Sequence, residues 1–279
     1  MVSVVMYAVL IGIALLSLWW SYQRNQVQGG RGLPVGFTLL EIVIIAVVGV
    51  VNGILGTPNA VAGRFLQTFS GTYGFLLFSM IAGGFYVSAP LAGYIVRKPG
   101  AAMLSEVFNG IAQLLTGNPN GVVALLAGLL QGAGAEVAFA FYGYRRWTLA
   151  VVMLSGALSP ILQQAPEAYY FGVGPLGLGY NLLSLVIRMI SGAVYAGVIV
   201  IPLAQALARA GVLRGTRLDR AIREKRSSWE PGANEPSHHR RPPDRKGAVG
   251  ISQTPSGTAL AHGYPFWRGG THQGMDAIC

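Results

Sequence analysis

Seven stretches of this chain are apolar over about the length a helix needs to cross a bilayer, roughly 20 residues. They run from about 2 to 20, 38 to 56, 73 to 96, 101 to 116, 121 to 143, 148 to 164 and 181 to 208, the fourth and sixth being short. No other feature restricts the fold as strongly. In hydrocarbon a chain must close its backbone hydrogen bonds within helices or a sealed barrel, and spans of this length point to helices. Of 279 residues, 52% are hydrophobic and 11% charged, the profile of an all-α polytopic membrane protein.

The loops between the spans alternate in charge. Arg24 and Arg31 follow the first span, Arg97 and Lys98 the third, Arg145 and Arg146 the fifth, and the basic run "RGTRLDRAIREKR" over 214 to 226 follows the seventh. Cytoplasmic loops carry the Lys/Arg excess, so the N-terminus is expected outside and the C-terminus inside. The intervening loops agree: "NPNG" has no charge, 57 to 72 has only Arg64, and the stretch from Gln164 to Tyr180 has only Glu167. The first span lacks a basic leader and a small-residue cleavage site and ends in Trp19-Trp20, which suits an uncleaved interfacial anchor better than a signal peptide. This gives three parts: an anchor and linker over 1 to 35, a membrane domain over 36 to 212, and a basic juxtamembrane segment with a Pro-, Gly- and His-rich tail over 213 to 279. From about Ser227 the tail reads as disordered.

Net charge is +10, but residues 1 to 203 carry eight basic and four acidic groups against twelve and six in 204 to 279. The cluster next to the membrane fits topology and lipid headgroups; no aromatic residues interleave with it as nucleic-acid binding would require. All four histidines lie beyond residue 227, and the single cysteine is Cys279. The membrane part thus offers no imidazole or thiol, which argues against proteolytic, haem or metal chemistry there. No cofactor or metal is expected, and binding or transport becomes the default.

Ionisable groups at membrane depth are costly and face a cavity or a partner. Glu106, Glu136 and Arg188 lie there. Glu106, Asn109 and Gln113 recur at i, i+3 and i+7 and share one helix face. Asn181, Ser184, Arg188, Ser191 and Tyr195 form a second polar stripe, and Gln131 lies five residues before Glu136. Two readings fit. Arg188 pairs with one glutamate while the amides join helices, or the surplus carboxylate and the amides read a cationic, donor-rich ligand with aromatic help from Phe85, Tyr86, Tyr169 and Tyr170. In "AVVGVVNGILG", Ala46, Gly49, Gly53 and Gly56 give a small-residue face suited either to internal packing or to docking another protein. No "GxxxxGK[ST]" occurs, so ATP-driven transport would need an ATPase from a partner.

The motifs "EIVI" (41 to 44), "RKPGAAMLSE" (97 to 106), "LLTGNPNG" (114 to 121), "LLQGAGAEVAF" (129 to 139), "YRRW" (144 to 147) and "VIRMISGAVYAG" (186 to 197) resemble the YkoE family, substrate-binding (S) subunits of energy-coupling-factor vitamin transporters. The resemblance covers about residues 38 to 212 and implies a six-helix S-component bundle, corresponding to the second through seventh spans. It further implies a pocket open to the outside for thiamin or hydroxymethylpyrimidine, and docking on a transmembrane coupling subunit driven by ABC-type ATPases. Carried over by motif, Glu106, Asn109, Gln131, Glu136 and Arg188 fall at the pocket or its support, with Phe85, Tyr86 and Glu167 beside it. Ala46, Gly49 and Gly53 fall at the docking face. The first span, the tail, the 57 to 72 segment and "QQAPEAYYFGVGPLG" depart from the family pattern. A stand-alone ion-coupled carrier is the rival from another class, though no internal repeat supports it; a membrane enzyme is a weaker one.

Overall fold

A computed structural model of the chain describes residues 36–229, together with isolated helical positions at Gly12, Leu16, Trp19 and Gln23. The rest of the first apolar stretch and everything after Trp229 lie outside the described residues, and with them the expected N-terminal anchor and C-terminal tail. All described residues belong to one compact unit.

Every regular element described is helical. Six helices or helix pairs form the bundle: α1 (Leu39–Ser70), α2 (Thr72–Val96), α3 (Ala101–Leu115), α4 (Val122–Phe141), α5 (Leu149–Tyr170) and α6 (Leu178–Arg209). A seventh, α7 (Arg217–Trp229), follows. α3 packs against both α1 and α4, α5 against α4 and α6, and α2 lies among α1, α3 and α6. The bundle is polar within and apolar without: Glu106, Asn109, Gln131, Glu136 and Arg188 are buried, whereas Val43, Val47, Ile54, Leu182, Val186 and Ile190 are exposed. In water this arrangement would be unstable; in lipid it is expected, because hydrocarbon solvates the apolar face at no cost.

Two expected loops are helix instead. α1 does not stop at residue 56 but continues through Pro58 to Ser70. Pro58 removes one backbone donor, but its polar neighbours find partners. Thr57 Oγ1 lies 2.5 Å from Thr116 Oγ1, and Asn59 Nδ2 donates to the Ile81 carbonyl at 3.2 Å. Likewise α5 runs through Pro166 to Tyr170, where a loop from Gln164 was expected. In both cases the Pro and the polar residues beside it imitate a loop.

α1 starts at a capping box, in which Glu41 Oε2 accepts from Thr38 N (2.7 Å) and Thr38 Oγ1 from Glu41 N (3.3 Å). Glu41 also pairs with buried Lys98 at 2.6 Å, tying the start of α1 to the basic loop after α2. We call this the basic end of the bundle, and the end carrying 116–121 and 171–177 the far end.

α2 breaks at a tight turn, Ala82–Tyr86, between two α-helical halves. Such a break is tolerated at membrane depth only where protein groups satisfy the backbone, and here they do. The Phe85 carbonyl accepts from Asn52 Nδ2 and Asn109 Nδ2, both at 3.0 Å. Ser191 Oγ donates to the Met80 carbonyl at 2.7 Å and accepts from Gly83 N at 3.0 Å. The break thereby fixes Phe85 and Tyr86 in the interior.

Candidate functional site

The polar stripe of α3 forms a directed chain of hydrogen bonds. Asn109 Nδ2 donates to Glu106 Oε2 (2.7 Å), Gln113 Nε2 to Asn109 Oδ1 (2.9 Å) and Asn118 Nδ2 to Gln113 Oε1 (2.6 Å). Asn120 N donates to Asn118 Oδ1 (2.8 Å), and Arg64 Nη2 to Asn120 Oδ1 (2.9 Å). Donors point from the Arg64 cation at the far end toward Glu106 in the interior, so each bond polarises the next. Glu106 Oε1 accepts from Ser88 Oγ (2.6 Å) and Ala89 N (3.1 Å), at the start of the second half of α2. Both oxygens are engaged. Glu106 and Asn109, expected at the pocket or its support, act here as the cap and brace of a broken helix.

Glu136 is occupied in the same way. Its oxygens accept from Gly100 N (2.7 Å), Ala102 N (3.1 Å), Met103 N (3.3 Å) and Tyr144 Oη (2.6 Å). Those backbone groups open α3, whose N-cap Gly100 has no side chain to cap with. A carboxylate from α4 supplies the anion that a helix N-terminus favours. Glu136, expected at the pocket or its support, is saturated here by the first turn of α3 and by Tyr144.

Arg188 does pair with a glutamate, but with Glu167 rather than Glu106 or Glu136. Arg188 Nη1 contacts Glu167 Oε2, Nη2 contacts Oε1 at 3.0 Å, and Nε donates to Ser79 Oγ at 3.2 Å. The guanidinium lies 4.6 Å from the Phe75 ring centroid. Glu167, assigned by sequence to an outer loop, is an interior residue on α5.

A cavity opens between α2, α4 and α5 toward the far end, with about 40 Å³ of free space inside a concavity of about 590 Å³. Phe78, Phe85, Tyr86, Tyr170 and Phe171 give it aromatic walls, and Gln113, Gln131, Gln163 and Glu167 give it polar ones. Of the expected residues, Phe85, Tyr86, Gln131 and Glu167 line it; Glu106, Asn109, Glu136 and Arg188 do not. The carboxamide oxygens of Gln131 and Gln163 are buried without a hydrogen-bond partner. Gln163 was missed by sequence, although Gln163, Glu167 and Tyr170 recur at i, i+4 and i+7 once the helix is known to pass Pro166. Electrostatically the lining is close to neutral, because Arg188 offsets Glu167. A wider groove between α5 and α6 is walled largely by Ile161, Leu178, Leu182 and Leu185 and has the character of a lipid-facing surface.

Of the two readings of the small-residue face of α1, the contacts of Gly49 and Gly53 fit internal packing. Gly49 and Gly53 are buried against α3, where a Cβ would lie 2.8 Å from Phe108 Cβ and 2.7 Å from Ala112 Cβ respectively. They serve internal packing and are closed to a partner; Ala46 is half-buried. The outward face of α1 carries Val43, Val47, Val50 and Ile54 instead.

The chain matches a family described as the permease component of an ABC-type cobalt transport system over residues 40–162. It is 33% identical over 186 residues to the putative HMP/thiamine permease protein YkoE of Bacillus subtilis (strain 168), covering 67% of this chain and 92% of that protein. The crystal structure of an S-component of an ECF transporter superposes with a TM-score of 0.65 at 33% identity, covering 69% of this chain and 96% of that one. The chain belongs to the YkoE family of S-components, and is a multi-pass, non-enzymatic, substrate-binding membrane subunit of an energy-coupling-factor transporter.

Proposed function

We propose that the subunit captures thiamin from outside the cell through its aminopyrimidine ring. The observation that carries this reading is the pair of buried, unpartnered oxygens of Gln131 and Gln163 in an aromatic-walled cavity. A buried acceptor left unpaired costs about 1–3 kcal/mol, which a ligand's amino group recovers. An aminopyrimidine supplies such N–H donors on a flat ring that fits between Phe and Tyr faces, and the thiazolium of thiamin gains cation–π attraction there. An anionic surplus plays no part, since Glu106 and Glu136 are held elsewhere. Cobalt fits poorly: the one carboxylate in the lining, Glu167, is bound by Arg188, and the lining has no imidazole or thiol.

The basic loops favour the basic end inside and the far end outside, so the cavity mouth meets the exterior, with the C-terminal part of the chain in the cytoplasm. The absence of a P-loop and the S-component kinship support partnership with a transmembrane coupling subunit and ABC-type ATPases. Release to the cytoplasm then follows reorientation or distortion driven by those partners. Hydroxymethylpyrimidine shares the aminopyrimidine and is the second reading.

Titration of purified Gln131→Leu and Gln163→Leu proteins tests the proposal. Each loses at least about tenfold in thiamin affinity, the equivalent of one hydrogen bond. Wild-type affinity in both refutes it. Thiamin binding no tighter than hydroxymethylpyrimidine shows that the thiazolium contributes nothing. Proton-driven uptake by vesicles containing this chain alone would instead establish a stand-alone carrier.

A further inference from the structure

The cavity leaves about 40 Å³ of free space, room for a few waters and none for a vitamin, so its walls must part for a ligand to enter. Asn120, Tyr170 and Phe171 lie, with Val123, Leu126 and Ala127 of α4, on the more exposed part of the lining, while Gln131, Gln163 and Glu167 are buried. Asn120, Tyr170 and Phe171 are held by one side chain that does not itself line the cavity, Arg64 of α1. Its Nε and Nη2 donate to Asn120 Oδ1 at 3.2 and 2.9 Å, and Nη2 also donates to Tyr170 Oη at 2.9 Å. Its guanidinium carbon lies 5.3 Å from the Tyr170 centroid and 4.9 Å from that of Phe171. Among the described residues no carboxylate pairs with it.

We infer that Arg64 is a latch across the cavity mouth that sets the rate of ligand entry and exit. One guanidinium joins α1, the α3–α4 loop and the end of α5, three elements that must separate for a guest to pass. It also covers the two ring faces nearest the mouth. If the ligand is thiamin, as proposed above, its thiazolium and the latched guanidinium compete for those faces, and like charge keeps both from resting there together. Entry therefore requires Arg64 to release Tyr170 and Phe171, and closure behind the ligand requires it to re-form the contact with Asn120. The latch differs from the binding groups: its loss speeds the ligand's movement and does not weaken its binding.

A readout independent of ligand identity uses Ala127→Cys, inside the cavity lining, in a Cys279→Ser background. Modification by a neutral and by an aminoethyl methanethiosulfonate is compared with and without Arg64→Gln. Both reagents react about tenfold faster in the Arg64→Gln protein, as expected for losing a contact of this kind. Acceleration of the cationic reagent alone assigns Arg64 a purely electrostatic role and overturns the latch, as does no acceleration. Asn120→Ala, which removes the acceptor from the other side, gives the same acceleration and serves if Arg64→Gln fails to fold. In stopped-flow thiamin binding, Arg64→Gln raises the association rate about tenfold and raises the dissociation rate less, because only the Asn120 contact is re-formed behind the ligand; an unchanged association rate overturns the latch. Absence of thiamin binding by the parent protein rejects the thiamin reading, and the cysteine experiment still decides the latch.

Discussion

At Glu136 one carboxylate serves four donors, three of them backbone N–H groups at the start of α3. Glu136→Gln turns one acceptor oxygen into a donor and leaves at least one buried N–H unpaired, a loss of about 2–4 kcal/mol. The purified variant accordingly shows a clearly lower thermal midpoint, while its folded fraction keeps wild-type thiamin affinity; lost affinity at unchanged stability would restore Glu136 to the site. Gln131→Leu behaves oppositely, with weaker binding and stability equal or higher, because it removes an unpaired acceptor. At Glu167, Gln leaves Arg188 without its counter-charge, and breaking a buried pair costs about 3–5 kcal/mol. Glu167→Gln/Arg188→Leu is therefore more stable than Glu167→Gln alone, as denaturation of both proteins in detergent can verify. The sequence marks Glu106, Glu136 and Arg188 as groups that must have partners at membrane depth. It does not say which partners, because the bonds are to backbone atoms 17 to 36 residues away and to a glutamate 21 away.

At the scale of helices, period and length are enough to find six bundle helices, while their ends depend on contacts. "TPN" at 57 to 59 and "QQAPE" at 163 to 167 carry the chemistry of loops, yet Asn59 is bonded to the broken turn of α2 and Glu167 to Arg188. The tertiary partner overrides the local signal for a loop, as it commonly overrides propensity. The same holds for the glycines of α1, whose spacing serves an internal neighbour as well as an external one. Gly53→Val forces α1 away from α3, with an overpacking cost of about 1–3 kcal/mol. A lower thermal midpoint of the isolated subunit is the expected result; unchanged stability with weakened coupling-subunit association would place this face outside the bundle after all.

For the molecule as a whole, alternating loop charge and the cavity's position make one joint prediction. In the Cys279→Ser background, Gly117→Cys reacts with a membrane-impermeant maleimide in intact cells, whereas Arg146→Cys reacts only after permeabilisation; the reverse pattern inverts the topology and turns the cavity mouth to the cytoplasm. Apolar run lengths and the placement of Lys and Arg were sufficient to establish a helical, multi-pass membrane chain, since the bilayer imposes those two constraints on any span regardless of its neighbours. Which polar side chains remain available to a ligand was decided only by packing. Two glutamates were taken up by helix ends brought beside them, and of three described glutamines left with a bare buried oxygen, two, Gln131 and Gln163, line the aromatic-walled cavity. Hydrogen-bond saturation depends on what lies within about 3 Å in space, a quantity that spacing along a chain does not contain.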